Sequence, residues 1–187
     1  MLRRRCVVAL AVALSCRWPA GPAEAHRLDA LLQATLISVG TDAVGVEITL
    51  TPGVRVADSV IATLDTDRDG AISSEEVEAY ADTALASVRL SLDGRPLVLR
   101  RSGQEVSDLP ELREGTGWVR ISAHAPLDAL SAGTHTFDFE NRYSRSDSVY
   151  LANALVPTSA AVIINRQERN RRQTSLRVVY TLQRDAR

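Results

Sequence analysis

The sequence predicts a mainly β protein, an antiparallel β-sandwich of the Ig-like type with a helix–loop–helix segment inserted between its second and third strands. Several short segments alternate apolar and polar side chains, which is the period-two pattern of half-buried strands. One region, at about 54–86, instead has apolar residues at helical spacing on both sides of an acidic loop. With 187 residues, of which 45% are hydrophobic, the chain suits one domain with a sizeable core.

The predicted strands are separated by turn residues. In chain order they cover residues 28–39, 43–51, 88–92, 96–100, 118–125, 134–141, 148–156, 160–165 and 176–182. In the second strand, every other residue from Val44 to Leu50 is aliphatic. Asp93-Gly94 predicts the tight turn of a hairpin between two later strands. Residues 102–117 and the arginine-rich residues 166–172 are expected to form loops.

Two helices are predicted to flank the acidic loop. The first runs from about Val56 to Leu64 and places Val60 and Ile61 on its apolar face. The second runs from about Ser74 to Ala86, and glutamates near its start favour a helix N-terminus because they complement the helix dipole. Ser74 is expected at the N-cap or in the first turn of this helix.

The acidic loop, residues 65–76, has the ligand spacing of an EF-hand. A calcium ion takes about six to eight oxygen ligands, and a twelve-residue loop supplies them from alternate positions. The candidate ligands are Asp65, Asp67, Asp69, the carbonyl of Ala71, Ser73 through a water, and both carboxylate oxygens of Glu76. Gly70 stands where the loop turns sharply. The alternative interpretation is a solvated acidic turn between two helices.

A second loop with this spacing does not occur in the sequence. EF-hands usually work in pairs, so Ile72 at loop position 8 has no partner loop in the same chain. We expect the sandwich of the same chain to pack against the helix pair, rather than two chains to meet through their loops. A fixed frame favours a structural calcium site over a switch, because a switch has to open a groove. The expected dissociation constant for calcium is about 10⁻⁶ to 10⁻³ M.

Residues 1–25 have the features of a secretory signal peptide. Arg3-Arg4-Arg5 precede a short apolar run from Cys6 to Ser15, and Ala23-Glu24-Ala25 resembles a cleavage site flanked by small residues. A single domain over residues 26–187 would then be periplasmic or secreted.

Lipoprotein anchoring is the alternative, because Leu14-Ser15-Cys16 resembles the end of a lipobox. Both cysteines, Cys6 and Cys16, lie in the signal region, so the mature chain is expected to lack thiols and disulfides.

Charge and composition exclude several classes of function. Residues 1–25 contain four arginines and one glutamate, so the mature chain would carry a net charge of about −4, which does not suit nucleic-acid binding. Later apolar runs are shorter than the ~20 residues of a transmembrane helix, so no membrane span is expected in the mature chain. The sequence has no Gly-x-Ser-x-Gly motif, and no catalytic constellation is predicted, so an enzyme is not expected.

His26 is the basis of a second metal hypothesis. Cleavage after Ala25 would leave a free amine beside its imidazole, and together they could chelate copper or nickel. On this hypothesis the protein would be a periplasmic copper or nickel binding or delivery protein. His124 and His135 are the only other histidines. His135 shares the parity of two phenylalanines on its strand and is expected to be a hydrogen-bonded core residue, whereas His124 falls on a more polar face.

The chain resembles a family of secreted bacterial EF-hand-containing proteins of unassigned activity. The matching segments are Ala25-His26-Arg27-Leu28-Asp29, Leu50-Thr51-Pro52-Gly53-Val54, the loop 65–76, Leu92-Asp93-Gly94-Arg95-Pro96-Leu97, Phe139-Glu140-Asn141-Arg142 and Ser148-Val149-Tyr150-Leu151-Ala152-Asn153-Ala154-Leu155-Val156-Pro157. Similar domains precede the membrane part of some HupE/UreJ-type proteins, a group linked by name to nickel metabolism. The resemblance implies a separate membrane protein as a candidate partner. It does not imply permease activity, because the sequence ends at Arg187 without membrane helices.

From these patterns we expect a calcium-binding extracytoplasmic protein. Its single EF-hand site would have a mainly structural role and would support protein–protein interaction.

Overall fold

The computed structural model describes residues 29–183 with the exception of residues 144 and 146. Three sequence predictions lie outside the described residues: the signal peptide 1–25, the lipid anchor at Cys16 and the metal ligand His26. Within the described residues, no helix has the length and apolar character that are needed to cross a bilayer.

The described chain is mainly β, as predicted. The strands are β1 Leu31–Val39, β2 Ala43–Pro52, β3 Val88–Leu92, β4 Arg95–Leu97, β5 Arg100–Val106, β6 Val119–Pro126, β7 Gly133–Asn141, β8 Ser148–Ala154, β9 Val162–Arg169 and β10 Ser175–Leu182. The helices are α1 Val54–Leu64, α2 Ser74–Ala86 and α3 Leu109–Glu114. The helices α1 and α2 therefore lie between the second and third strands.

The strands form two five-stranded sheets. The first sheet has the order β5-β6-β2-β1-β8, and the second has the order β4-β3-β7-β10-β9. Neighbouring strands are antiparallel throughout, except that β1 and β8 are parallel. The sheets are therefore mostly antiparallel, and the predicted antiparallel pairing does not extend to this one pair. β8 follows β1 by more than a hundred residues, and local alternation carries no information on the direction of such a distant partner.

Two segments that were predicted as loops contain regular structure. Residues 102–117 hold most of β5 and all of α3, and residues 166–172 hold the last part of β9. Both strands lie at the edge of a sheet and are rich in arginine and other polar residues. An edge strand whose faces are largely polar loses the apolar alternation by which a strand is recognised.

The core is formed jointly by the two sheets and the helix pair. Alternate residues of β2 from Val44 to Leu50 are buried, as the period-two pattern predicted. They belong to one cluster of buried residues that also includes Val60 and Leu64 of α1 and Tyr80 of α2. Each such large aliphatic side chain contributes about 1.5–3 kcal/mol when fully buried. The helix pair is thus packed on the β-rich body of its own chain.

The unpredicted segment 100–114 helps to hold the helix pair. Arg101 of β5 binds two carboxylates of α2, with its Nε 2.7 Å from Asp82 Oδ1 and its Nη2 3.6 Å from Glu78 Oε2. On the other side, α3 packs against α1, and Arg113 lies 3.6 Å from Asp58. The helices on either side of the acidic loop therefore have separate supports.

A buried polar network connects the sheets to the helix pair. Gln33 of β1 is only 1% exposed, and its amide nitrogen donates to the Tyr143 carbonyl at 2.9 Å. Its amide oxygen accepts a hydrogen bond of 2.9 Å from Asn141 Nδ2. The ring of Tyr143 in turn makes an edge-to-face contact with Tyr80 of α2, with ring centroids 6.1 Å apart. This contact provides a further fixed point for the helix that follows the acidic loop.

Side chains of β9 protect the free edge of β8. The Gln167 amide accepts from the Ala154 N–H at 3.1 Å and donates to the Ala154 carbonyl at 3.2 Å, as a neighbouring strand would. Arg169 Nε donates to the Ala152 carbonyl at 2.6 Å. These bonds satisfy edge groups that would otherwise be free to pair with another chain.

Candidate metal centre

The first predicted ligand stands where α1 ends. Asp65 is the C-cap residue, and its N–H donates to the Ile61 carbonyl at 2.8 Å. The preceding Leu64 is fully buried, which anchors the helix end in the core. Asp65 is itself 8% exposed, so the first carboxylate of the loop is held in a largely buried position by the helix that carries it.

The loop backbone turns around its own carboxylates. Gly70 has φ 84°, so the sharp turn predicted at this glycine is present, and its N–H donates to Asp65 Oδ2 at 3.2 Å. Asp67 Oδ1 accepts from the Asp69 N–H at 3.1 Å, and Asp69 Oδ1 accepts from the Ala71 N–H at 2.8 Å. These bonds fix the loop shape from inside and orient the acidic side chains.

The second helix begins with a capping box. Ser73 is the N-cap, since its Oγ accepts from the Glu76 N–H at 3.3 Å and its own N–H donates to Glu76 Oε2 at 3.0 Å. Ser74 therefore takes the first-turn role, one of the two roles that were predicted for it. The capping box satisfies N–H groups that a helix start leaves without partners. It also fixes Glu76, the last predicted ligand, at the start of α2.

The other oxygen of Glu76 is bound from the opposite end of the loop. Glu76 Oε1 accepts from the Thr66 N–H at 2.6 Å, from Thr66 Oγ1 at 3.0 Å and from the Asp67 N–H at 3.4 Å. The backbone N–H groups of Ser73 and Thr66 lower the pKa of Glu76 to about 2. The carboxylate therefore stays ionised, in the state that a cation needs, at pH values at which an ordinary glutamate would already be protonated.

Three predicted ligands meet in one cluster. Asp65, Asp67 and Glu76 each provide a carboxylate oxygen, and these oxygens lie within 4.8 Å of one another. Two oxygens on opposite sides of a calcium ion, each at about 2.4 Å, are about 4.8 Å apart, so one ion could contact all three. The spacing thus fits a single hard cation.

An unpartnered oxygen supports this fit independently. Asp65 Oδ1 is buried and has no hydrogen-bond partner. An unsatisfied buried polar atom costs about 1–3 kcal/mol, more if it is charged. A cation that contacts this oxygen would satisfy it, and carboxylate oxygens are the ligands that calcium prefers.

The remaining predicted ligands have different positions. Asp69 is not part of the three-carboxylate cluster. The Ala71 carbonyl and the water-mediated contact of Ser73 stay predictions, and Ser73 is at present engaged with Glu76. Thr66, which contacts Glu76 from within the loop, was not singled out from the sequence, because loop position 2 belongs to no ligand pattern.

Ile72 has an apolar partner within its own chain. It is partly buried and packs against the common core. Together with Val106 and Leu109 it lines an open pocket of about 340 Å³ beside the start of α3. Ile72 therefore contacts the body of its own chain.

The other histidines are placed away from this cluster. His135 is 7% exposed, with Nδ1 2.8 Å from Asp93 Oδ2 and Nε2 2.9 Å from the Ser131 carbonyl. The prediction of a hydrogen-bonded core histidine is therefore confirmed. Both partners are acceptors, so they favour the doubly protonated ring, and the Asp93 carboxylate raises the pKa of His135. His124 is exposed on β6.

Fold and site together define a mainly β protein with a carboxylate cluster between two anchored helices. A comparison of the chain with protein-family models, curated proteins and solved structures finds no match. The resemblance described from the sequence therefore stays a prediction, and functional inference rests on the loop itself.

Proposed function

We propose that this protein binds one calcium ion in an EF-hand-type loop and that the ion has a mainly structural role. The observation that carries the proposal is the convergence of the Asp65, Asp67 and Glu76 carboxylates in one cluster, together with a buried oxygen of Asp65 that has no hydrogen-bond partner. Asp69, the Ala71 carbonyl and a water on Ser73 would complete the ligand set. When bound, calcium would supply the positive charge that holds these oxygens together.

The structural role is supported by the way in which the helices are held. Arg101 ties α2 to β5, and Ile72 packs against the core from within the loop. Tyr80 contacts Tyr143 at the other side of α2. A helix pair with contacts at several separate points has little freedom to open a groove, which is what a calcium switch requires. Calcium would therefore steady this arrangement.

The corresponding proposal for the fold is an Ig-like sandwich that carries an inserted EF-hand. Two mostly antiparallel sheets that share one core support the sandwich. The helix pair between β2 and β3 supports the insertion.

Calorimetric titration of the purified protein with calcium, magnesium and copper tests the proposed function. We expect one calcium ion per chain with a dissociation constant of about 10⁻⁶ to 10⁻³ M, and weaker binding of magnesium, which demands a smaller octahedral site. The double variant D65A/E76Q should bind no calcium at millimolar concentration. D58N, which removes an exposed carboxylate of α1 outside the loop, is the matched control and should bind as the original chain does. Equal calcium binding by the double variant would exclude this site.

We extend the proposal to protein–protein interaction outside the cytoplasm, with a membrane protein as candidate partner. An open groove of about 600 Å³ between the end of β8 and the start of β9 supports this extension. It is lined by the exposed residues Leu155, Val156 and Ile163, of which Val156 is 89% exposed. Exposed apolar patches commonly mark contact sites. A photo-crosslinking residue at position 156 should capture a membrane protein in intact cells, whereas one at position 58 should not. Identical products at both positions would contradict this extension.

The copper or nickel hypothesis stays a prediction, because His26 lies outside the described residues. The copper arm of the calorimetric titration tests it directly. Tight copper binding that disappears when one residue is added before His26 would favour it.

A further inference from the structure

The Glu76 carboxylate joins the two ends of the acidic loop. Its Oε2 is held by Ser73, which directly precedes α2, through N–H and Oγ contacts that are both 3.0 Å long. Its Oε1 is held by Thr66, ten residues away, through an N–H contact of 2.6 Å and an Oγ1 contact of 3.0 Å. Each oxygen thus has a backbone donor and a hydroxyl donor from a different end of the loop.

The capping box alone would not fix this carboxylate. The terminal torsion of a glutamate side chain has a broad energy profile, and the two carboxylate oxygens turn together about it, so the Ser73 donors alone attach the carboxylate at one oxygen only. The Thr66 donors attach the other oxygen, and the Asp67 N–H lies 3.4 Å from it, so Oε1 is held on the side of the loop that carries Asp67. In this orientation a Glu76 oxygen belongs to the three-carboxylate cluster.

We propose that Thr66 is a positioning residue for the metal site, whose hydroxyl holds Glu76 in its ligating orientation before the ion arrives. The inference rests on the proposed calcium function and deepens it. Ordering a flexible side chain during binding lowers affinity, and a side chain that is already ordered avoids this loss. Without the Thr66 hydroxyl, part of the ordering of the Glu76 side chain would take place when calcium binds, and calcium binding would be weaker.

The alternative is that the Thr66 hydroxyl competes with the ion. Five donor contacts converge on the two Glu76 oxygens. If these contacts had to be given up when calcium binds, removing one of them would tighten binding. The two possibilities therefore predict opposite signs for the same substitution.

The test compares Thr66→Val with Thr66→Ser in the purified protein. Valine keeps the shape of threonine and the backbone N–H contact but lacks the hydroxyl, whereas serine keeps the hydroxyl. We expect calorimetric titration to show calcium binding weakened about three- to tenfold by T66V and restored to within about twofold by T66S. Unchanged or tighter binding by T66V would overturn the inference.

A second readout separates positioning from general stability. The difference between the Tm in calcium and the Tm in chelator should become smaller in T66V, since calcium stabilises the folded state in proportion to the logarithm of its affinity. A residue with only a structural role would lower both Tm values and leave their difference unchanged, and that result would also overturn the inference. Failure of the original chain to bind calcium would refute the proposed function, so the two failures are distinguishable.

Discussion

The substitution D65N should change stability in opposite directions with and without calcium. Asp65 Oδ1 is buried and unpartnered, and Asp65 belongs to one carboxylate cluster with Asp67 and Glu76. Asparagine keeps the size of the side chain and an oxygen for the Gly70 N–H. The substitution replaces a buried, unsatisfied carboxylate oxygen and removes one negative charge from the three-carboxylate cluster, so in chelator the variant should be the more stable protein.

The expected Tm changes follow from two opposing free energies, the relief of the buried Asp65 oxygen and the loss of calcium binding. Relief of an unsatisfied buried acceptor amounts to about 1–3 kcal/mol, and in a chain of this size 1 kcal/mol shifts Tm by about 2–4 °C. In calcium, the original chain gains about 4.1 kcal/mol when the free ion is at 1,000 times its dissociation constant, which exceeds the relief, and D65N loses nearly all of this gain because a charged ligand is missing. The order of the two Tm values should therefore reverse between chelator and calcium.

Differential scanning calorimetry in EDTA and in 5 mM calcium measures both effects. D58N is the control. Its Tm should stay close to that of the original chain in each buffer, because this carboxylate is exposed and lies outside the loop. A D65N protein that is less stable in EDTA and equally stabilised by calcium would refute the reasoning about Asp65.

Three further predictions concern contacts outside the metal site. In the original chain, stability from the raised pKa of His135 is present below its ordinary value of 6.5 and is lost as pH rises through the raised value. The urea midpoint should therefore fall as the pH rises above about 6.5, and H135Q should lack this fall. Q167A removes two contacts from the edge of β8, so we expect a loss of about 1–3 kcal/mol and faster amide exchange at Ala154, and unchanged exchange there would contradict the edge-protection role. R101A breaks ion pairs with Asp82 and Glu78, whose carboxylates are more than half exposed, so it should cost only about 1 kcal/mol in chelator, and a much larger loss in urea unfolding would be inconsistent with this estimate.

The parts of the fold that could be predicted are those with a buried face. β2 alternates aliphatic and small or polar residues, and its apolar residues are buried as that pattern requires. Helix α1 has Val60 and Ile61 on one face, and both residues are buried. In such segments the requirement to cover one side from water is written directly in the local sequence.

The parts that could not be predicted are those whose partners are distant or polar. β5 is an edge strand, and Arg101 and Gln104 on it bind polar side chains of α2 or of each other, so an apolar period is missing. The parallel pairing of β1 with β8 depends on residues more than a hundred positions apart. Helix α3 has only six residues, too few to show a helical period.

The candidate site shows the same division. The spacing of the acidic residues predicted a cluster, and Asp65, Asp67 and Glu76 do converge. The buried state of Asp65 could not be read from the spacing, because it depends on where the end of α1 meets the core. The contact between Thr66 and Glu76 could not be predicted either, since a hydroxyl at loop position 2 has no fixed role in the ligand pattern.

The measurement that tests the central claim most directly is an anomalous difference map from crystals of the protein grown with calcium. We predict one peak in the acidic loop, at about 2.3–2.6 Å from oxygens of Asp65, Asp67 and Glu76. A map with no peak in the loop, from crystals in which calcium is present at several millimolar, would contradict the account.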